Sequence, residues 1–251
     1  MERFMVLKCL LGSIGHFIFF GLLIGFMIPG FLLYFIFKPF IKDSQHFFQR
    51  GAALSYRLFY ILVPCMKLKI DILKDMPKGA IYISSHQSIL DFPAFASYVQ
   101  HYLIFANVNL GKYPTVEKIT HSVGVRYIKG RPIEEISDIY KEMEAHLDDG
   151  KNVIYFPEGT RHTGDKLLPF KRGAFRLAMK KNRPIVPIVI EGVQQYLPRK
   201  AWCFKTVKRQ NVYMKMLSPL YPKDFKNEMT MREYAHKIMQ EEKTKLCELY
   251  L

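Results

Sequence analysis

No two cysteines in this chain share a metal-ligand spacing: Cys9, Cys65, Cys203 and Cys247 are scattered through 251 residues. That pattern excludes a zinc ribbon or a disulfide framework, leaves a catalytic cysteine unsupported, and suits four reduced thiols in a protein facing the cytosol. A Gly-x-Ser-x-Gly elbow is also missing, so a serine ester or thioester hydrolase of that type has no anchor in the sequence. Internal repeats and low-complexity linkers are absent. Acidic residues are few, 22 Asp plus Glu against 37 Lys plus Arg, for a formal charge of +15. Nucleic acid is the usual partner of so basic a chain, but neither zinc-finger spacing nor an aromatic RNA-binding motif is present, which argues for no nucleic acid. The charge would instead draw in anionic lipid headgroups and other anionic small molecules.

Charge is missing altogether from residues 9–37, which are rich in Phe, Leu, Ile and Gly. As a straight helix this stretch would reach about 43 Å, against a hydrocarbon core of about 30 Å. Pro29-Gly30 interrupts it, so a kinked span and a re-entrant helical hairpin both fit. It is too long for a cleaved secretion signal and has no small-x-small site before polar sequence. A second apolar segment at 51–66, broken by Arg57, has the character of a helix lying along a membrane surface. Arg3 and Lys8 precede the uncharged stretch and Lys38, Lys42, Arg50 and Arg57 follow it, which puts the larger part of the chain on the cytoplasmic side.

Beyond residue 66 the pattern changes. Short β-prone runs at 67–73, 80–84, 102–106, 125–128, 152–156, 185–190 and 211–216 alternate with helical stretches at 91–99, 133–147 and 173–180. Such alternation predicts an α/β fold in which helices flank a largely parallel or mixed sheet. A charged amphipathic stretch at 230–250 predicts a helix docked on that domain. The organisation is therefore a membrane-associated helical region at 1–66, a catalytic domain at 67–220 and a helical tail at 221–251.

Two segments carry the chemistry. The first is Ser84-Ser85-His86-Gln87-Ser88-Ile89-Leu90-Asp91. Imidazole is the side chain whose ordinary pKa lies nearest neutrality, so it can take a hydroxyl proton and return it within one turnover. A carboxylate five positions on can orient one ring nitrogen if the backbone turns sharply, leaving the other for a substrate. The flanks predict that turn, with a strand ending near Ser84 and a helix starting near Asp91-Phe92-Pro93. Taken alone, the spacing more often marks a loop histidine beside a helix-capping aspartate. The second segment is Phe156-Pro157-Glu158-Gly159-Thr160-Arg161, a turn after a strand. Its glycine lets backbone approach a ligand, and Arg161 carries a planar fork matched to phosphate. Downstream, Lys171-Arg172-Gly173 opens a helix, which brings two cations to a helix amino terminus.

These segments belong to four blocks in a fixed order: His86 to Asp91, Gly124 to Arg131, Phe156 to Arg161, and the apolar Pro184-Ile-Val-Pro187-Ile-Val-Ile190. In that order, and over about residues 65–220, the chain resembles the glycerolipid acyltransferases with the His-x4-Asp motif, specifically the bacterial 1-acyl-sn-glycerol-3-phosphate acyltransferases. The resemblance implies a membrane-bound acyltransferase of phospholipid biosynthesis, with its catalytic domain facing the cytoplasm, at the inner membrane if bacterial. Its reaction would move a fatty acyl group from acyl-CoA or acyl-carrier protein to the free hydroxyl of lysophosphatidic acid, giving phosphatidic acid, with no metal and no cofactor. His86 would be the base and Asp91 its orienter. Glu158, Gly159, Thr160 and Arg161 would bind the acceptor, with Gly124 and Arg131 further candidates for its phosphate.

Three departures from the family pattern bear on the acceptor. The arginine of the second block comes one place late in Gly124-Val-Arg126-Tyr127-Ile128-Lys129-Gly130-Arg131, which leaves Arg126, Lys129 and Arg131 as alternatives. Family members tend to carry Lys-Lys-Glu-Leu where this chain has Asn107-Val108-Asn109-Leu110, and Lys112 is the nearest substitute cation. Ser85 stands where asparagine often precedes the histidine. The rival readings are an acyltransferase for another lysophospholipid and a non-catalytic lipid-binding membrane protein that keeps the fold.

Overall fold

A computed structural model of the chain describes residue 14 and residues 43–63, 66–107, 114–128, 133–198, 201, 205–206 and 208–249. The uncharged segment at 9–37, apart from residue 14, lies outside them, as does Arg131. Among the described residues no helix is long and apolar enough to cross a membrane.

The described chain opens with α1 (Ser44–Leu62), capped by the Asp43 carboxylate accepting from the His46 amide. It continues through β1 (Met66–Asp71), β2 (Ile81–Ser84), α2 (Asp91–Ala96), β3 (Tyr102–Asn107), α3 (Pro114–Ser122), β4 (Val125–Ile128) and α4 (Ile133–Asp148). Then follow β5 (Asn152–Tyr155), α5 (Gly173–Lys181), β6 (Ile185–Glu191), β7 (Gln210–Met216) and α6 (Glu228–Glu248). The seven strands form one sheet in the order β1-β7-β6-β2-β5-β3-β4. All neighbours run parallel except β6 and β7, so the sheet is mixed, as the alternation of elements predicts. Each parallel crossover among β2, β3, β4, β5 and β6 carries a helix, the economical way to join parallel strands.

β2 and β6 lie at the centre, and every residue of both is buried, which explains why they read as unbroken apolar runs rather than alternating ones. Their side chains feed two cores. Tyr82, Ile104, Ile154, Val186 and Ile188 pack with Phe59, Tyr60, Phe95 and Tyr102 beneath α1 and α2. On the opposite face Ile81, Ile83, Val153, Ile185 and Val189 pack with Leu147, Phe175, Leu177, Met231, Ala235 and Met239 beneath α4, α5 and α6. The last helix is fixed at its start by a capping box, in which Asn227 accepts from Thr230 N–H while Thr230 Oγ1 accepts from Asn227 N–H. It lies across β6 and α5.

Two elements depart from the sequence expectation. α1 begins at Ser44 rather than near residue 51, because Asp43 supplies the cap and Phe48 extends the buried face a turn earlier. α3 was not legible, since its apolar positions are too few over a single nine-residue element to set a period.

Candidate functional site

The carboxyl ends of β2 and β5 meet at the site, as expected for an open α/β sheet. β2 pairs with β6 from Ile81 to Ser84, and Ser85 extends that contact: its amide donates to Ile188 O at 3.1 Å, while its hydroxyl accepts from Ile190 N–H at 3.0 Å. The serine that replaces the family's asparagine therefore anchors the loop to β6. After it the backbone turns, and the turn is closed by Asp91, the first residue of α2.

Asp91 is fully buried, and one of its oxygens, Oδ2, receives three groups: His86 Nδ1 at 3.0 Å, Gln87 N–H at 2.6 Å and Ser88 N–H at 2.7 Å. This is the orienting contact that the His-x4-Asp spacing predicts. The two backbone donors hold the carboxylate in the turn, and with Asp91 ionised, Nδ1 carries the hydrogen and Nε2 is left as the basic nitrogen. Phe156 fixes the ring plane, stacking on His86 with centroids 3.9 Å apart and planes 21° from parallel. Phe156 is in turn met edge-on by Phe95 of α2. The His86 side chain keeps 19% exposure, and among the described residues Nε2 has no protein partner.

The second segment folds directly against the first. His162 N–H donates to His86 O at 2.8 Å, which places Arg161 and Thr160 beside the histidine loop. Gly159 turns at φ +70°, stabilised by its amide donating to Phe156 O, and a side chain there would collide with the Lys171 ammonium. Lys171 is brought back to this turn by its own amide bonding to Pro157 O at 2.8 Å, just before α5 begins at Gly173. Arg161 and Lys171 thus flank one turn, and among the described residues neither has a carboxylate partner. Two cations beside an exposed glycine backbone have the chemistry to hold an anion such as a phosphate.

Glu158, expected at the acceptor, makes its contacts among the described residues with backbone amides. Its Oε1 accepts from His86 N–H at 3.1 Å and its Oε2 from Leu168 N–H at 2.9 Å, and the residue is buried. Burial raises its pKa above the usual carboxylate value, while the two backbone amides pull the other way. With one backbone amide on each oxygen, Glu158 ties the His86 loop to the turn that carries Arg161. Gly124 lies elsewhere. It precedes β4, which runs parallel to β3, β5 and β2, so it sits at the opposite end of the sheet from His86. At φ +85° it packs under α1, where a Cβ would meet Tyr102 O and the Gln49 amide. Its glycine serves close packing of α1 on the sheet, not phosphate contact. Of the alternatives for the second block, Arg126 is taken up by Glu142 at 2.8 Å and by His121 O at 3.0 Å. Lys129, Arg131 and Lys112 lie outside the described residues.

Known proteins resemble this chain in sequence and in fold. Residues 67–191 match the family model described as Acyltransferase. A chloroplastic 1-acyl-sn-glycerol-3-phosphate acyltransferase of Brassica napus is 31% identical over 180 residues, covering 70% of this chain and 51% of that protein. A 1-acyl-sn-glycerol-3-phosphate acyltransferase of Haemophilus influenzae is 27% identical over 206 residues, covering 76% of this chain and 81% of that one. The crystal structure of the 1-acyl-sn-glycerophosphate (LPA) acyltransferase PlsC from Thermotoga maritima superimposes with a TM-score of 0.74 at 21% identity, over 94% of this chain and 95% of that one. The chain spans about half the length of the plant relative. On the family model and these sequence relatives the chain belongs to the acyltransferase family, and the likeness to the Thermotoga structure shows the shared fold.

Proposed function

We propose that this protein is a membrane-bound 1-acyl-sn-glycerol-3-phosphate acyltransferase, moving a fatty acyl group from acyl-CoA or acyl-carrier protein to lysophosphatidic acid. The observation that carries the reading is the 3.0 Å contact between His86 Nδ1 and Asp91 Oδ2, with Nε2 turned out beside the Arg161 turn. In the reaction Nε2 takes the proton of the acceptor hydroxyl as its oxygen attacks the thioester carbonyl carbon. The C–S bond breaks as the tetrahedral intermediate collapses, and the departing thiolate takes the proton back from the imidazolium. Asp91 stays ionised throughout and steadies the positive charge on the ring. Arg161 and Lys171 hold the acceptor phosphate, which puts the glycerol hydroxyl within reach of His86.

The lipid substrate places the reaction at a bilayer edge. On α1, Phe47, Leu54, Leu58 and Ile61 are exposed, at spacings that align them along one side of the helix, and Arg50 and Arg57 stand among them. An apolar stripe with cations suits the headgroup layer of an anionic membrane, and the uncharged residues 9–37 would deepen the attachment. The charge flanking that segment favours a cytoplasm-facing catalytic domain, at the inner membrane if the source is bacterial. A second reading, an acyltransferase for another lysophospholipid, draws on Asn107-Val108-Asn109-Leu110 in place of the family's lysine pair. Radiolabelled acyl-CoA supplied with a panel of lysolipids decides between them. Label in phosphatidic acid, dependent on lysophosphatidate, is expected. Transfer to a neutral lysolipid alone would move the assignment to the second reading, release of free acid alone would mean hydrolysis, and no turnover with either donor would mean a lipid-binding protein.

A further inference from the structure

Behind the catalytic loop lies a charged cluster that the reaction does not use. Lys243 of α6 and Glu191 at the end of β6 are each 2% exposed and meet at 2.5 Å between Nζ and Oε2. The same Oε2 accepts from Gln87 Nε2 at 2.9 Å, and Gln194 Nε2 donates to Glu191 Oε1. The sheet register explains the meeting. Ser84 pairs with Ile188, so continuing both strands by three residues brings Gln87 alongside Glu191.

Burying an ammonium and a carboxylate costs several kcal/mol per ion before their attraction is counted, and a well-packed apolar pair is often as stable. A buried ion pair is thus a weak argument for stability and directs attention to what it orients. Gln87 is itself buried, its Oε1 has no partner among the described residues, and its amide hangs from Glu191 by a single hydrogen bond. Its backbone N–H is one of the two donors that hold Asp91 Oδ2 against His86. A continuous path therefore runs from Lys243 through Glu191 and Gln87 to Asp91. Other titratable groups around the path include Glu158 and His162 beside His86, Tyr60 beside Asp91, and Cys247 beside Glu191 with Asp165 near it.

We propose that Lys243, Glu191 and Gln87 are positioning residues for the His86–Asp91 pair, so that the carboxyl-terminal helix sets the geometry of the base. This rests on His86 being the base of the proposed reaction. Docking of α6 holds Glu191 in place, Glu191 grips the Gln87 amide, and that grip fixes the tight turn on which Asp91 depends.

The test compares Gln87→Met, the apolar pair Glu191→Met/Lys243→Met, and the triple variant, all in the full-length detergent-solubilised protein. Replacing both charges together avoids an unpaired buried ion and keeps the fold. Gln87→Met and the apolar pair are each expected to lower kcat about tenfold, the equivalent of one hydrogen bond, with KM changed by less than about twofold. Because all three residues act through one link, the triple variant is expected to be no slower than the slower of the other two. A second readout needs no substrate: the downfield Nδ1 proton of His86, identified by its absence in His86→Ala, is expected to broaden or vanish in every variant while near-ultraviolet circular dichroism stays native. Unchanged kcat and an unchanged proton resonance in the apolar pair would overturn the proposal, as would losses that multiply in the triple variant. A wild-type protein that is inert toward lysophosphatidate would sink the proposed reaction alone, and the resonance would still decide the positioning role.

Discussion

Replacing Asp91 with asparagine separates the carboxylate's charge from its geometry. All three contacts of Asp91 converge on Oδ2, and Oδ1 is buried without a partner among the described residues. An asparagine that puts its carbonyl oxygen in the Oδ2 position keeps the Gln87 and Ser88 amides and the His86 Nδ1–H, with its amide group where Oδ1 was. The tautomer of His86 is preserved, in contrast to triads where the asparagine reverses it at a cost of about 10⁴ in rate. What is lost is the negative charge beside the imidazolium that forms as the hydroxyl proton is taken. Two unit charges about 4 Å apart at an effective dielectric near 20 attract by about 4 kcal/mol, and a hydrogen bond to a charged group contributes about 1.5–3 kcal/mol. The two figures describe one interaction, so about 3 kcal/mol is the expected loss, or between one hundredfold and one thousandfold in kcat. Acceptor KM should stay within about twofold, because Asp91 touches no substrate. Initial rates of labelled acyl transfer measure both constants. A kcat within about threefold of wild type would refute the charge argument, and a change confined to KM would show that Asp91 serves binding.

Arg161→Ala is expected to raise acceptor KM at least tenfold, the scale of one charge-assisted bond to phosphate, while kcat at saturation falls less; a rate loss at saturating acceptor with unchanged KM would count against the phosphate role. Gly124→Ala is expected to lower unfolding stability by about 2 kcal/mol or more, from the left-handed backbone and the crowded Tyr102 carbonyl, and to leave activity per folded molecule unchanged; a rise in acceptor KM would restore Gly124 to the binding site. Burial lowers the His146 pKa to about 4, with Lys151 and Arg126 adding and the His101 carbonyl opposing. A histidine whose folded pKa lies below its unfolded value contributes stability that is full above about pH 6.5 and is lost as pH falls toward 4. The full shift would amount to about 3 kcal/mol, and partial exposure of the ring reduces it to about half. Urea unfolding at several pH values should therefore be less pH-dependent in His146→Gln than in wild type over that window, and equal slopes would contradict the reading.

The His86–Asp91 contact was legible in the sequence because five residues of local chain and one sharp turn suffice to make it. Strands β2, β5 and β6 were legible for a related reason: central parallel strands are apolar on both faces and need no partner to be read. The backbone contacts of Glu158 are not legible in the sequence, because their partners, His86 and Leu168, lie 72 positions before it and 10 after it, and no local pattern encodes them. The position of Gly124 is not legible in the sequence, because a glycine before a strand looks the same whether its backbone faces a ligand or a packed helix, and only the parallel pairing of β4 places it at the far end of the sheet. The Lys243 and Glu191 pair was invisible, since a lysine in a charged helix reads as solvent-facing until β6 is laid beneath it. Ser85 could be read only as a replacement, and its bonds to β6 supply the anchoring role.

Acyl transfer by His86→Ala tests the central claim most directly. With lysophosphatidate saturating, loss of the general base is expected to lower kcat by at least about a thousandfold while the folded protein still binds acceptor. A variant that transfers acyl groups within about tenfold of the wild-type rate would contradict the account.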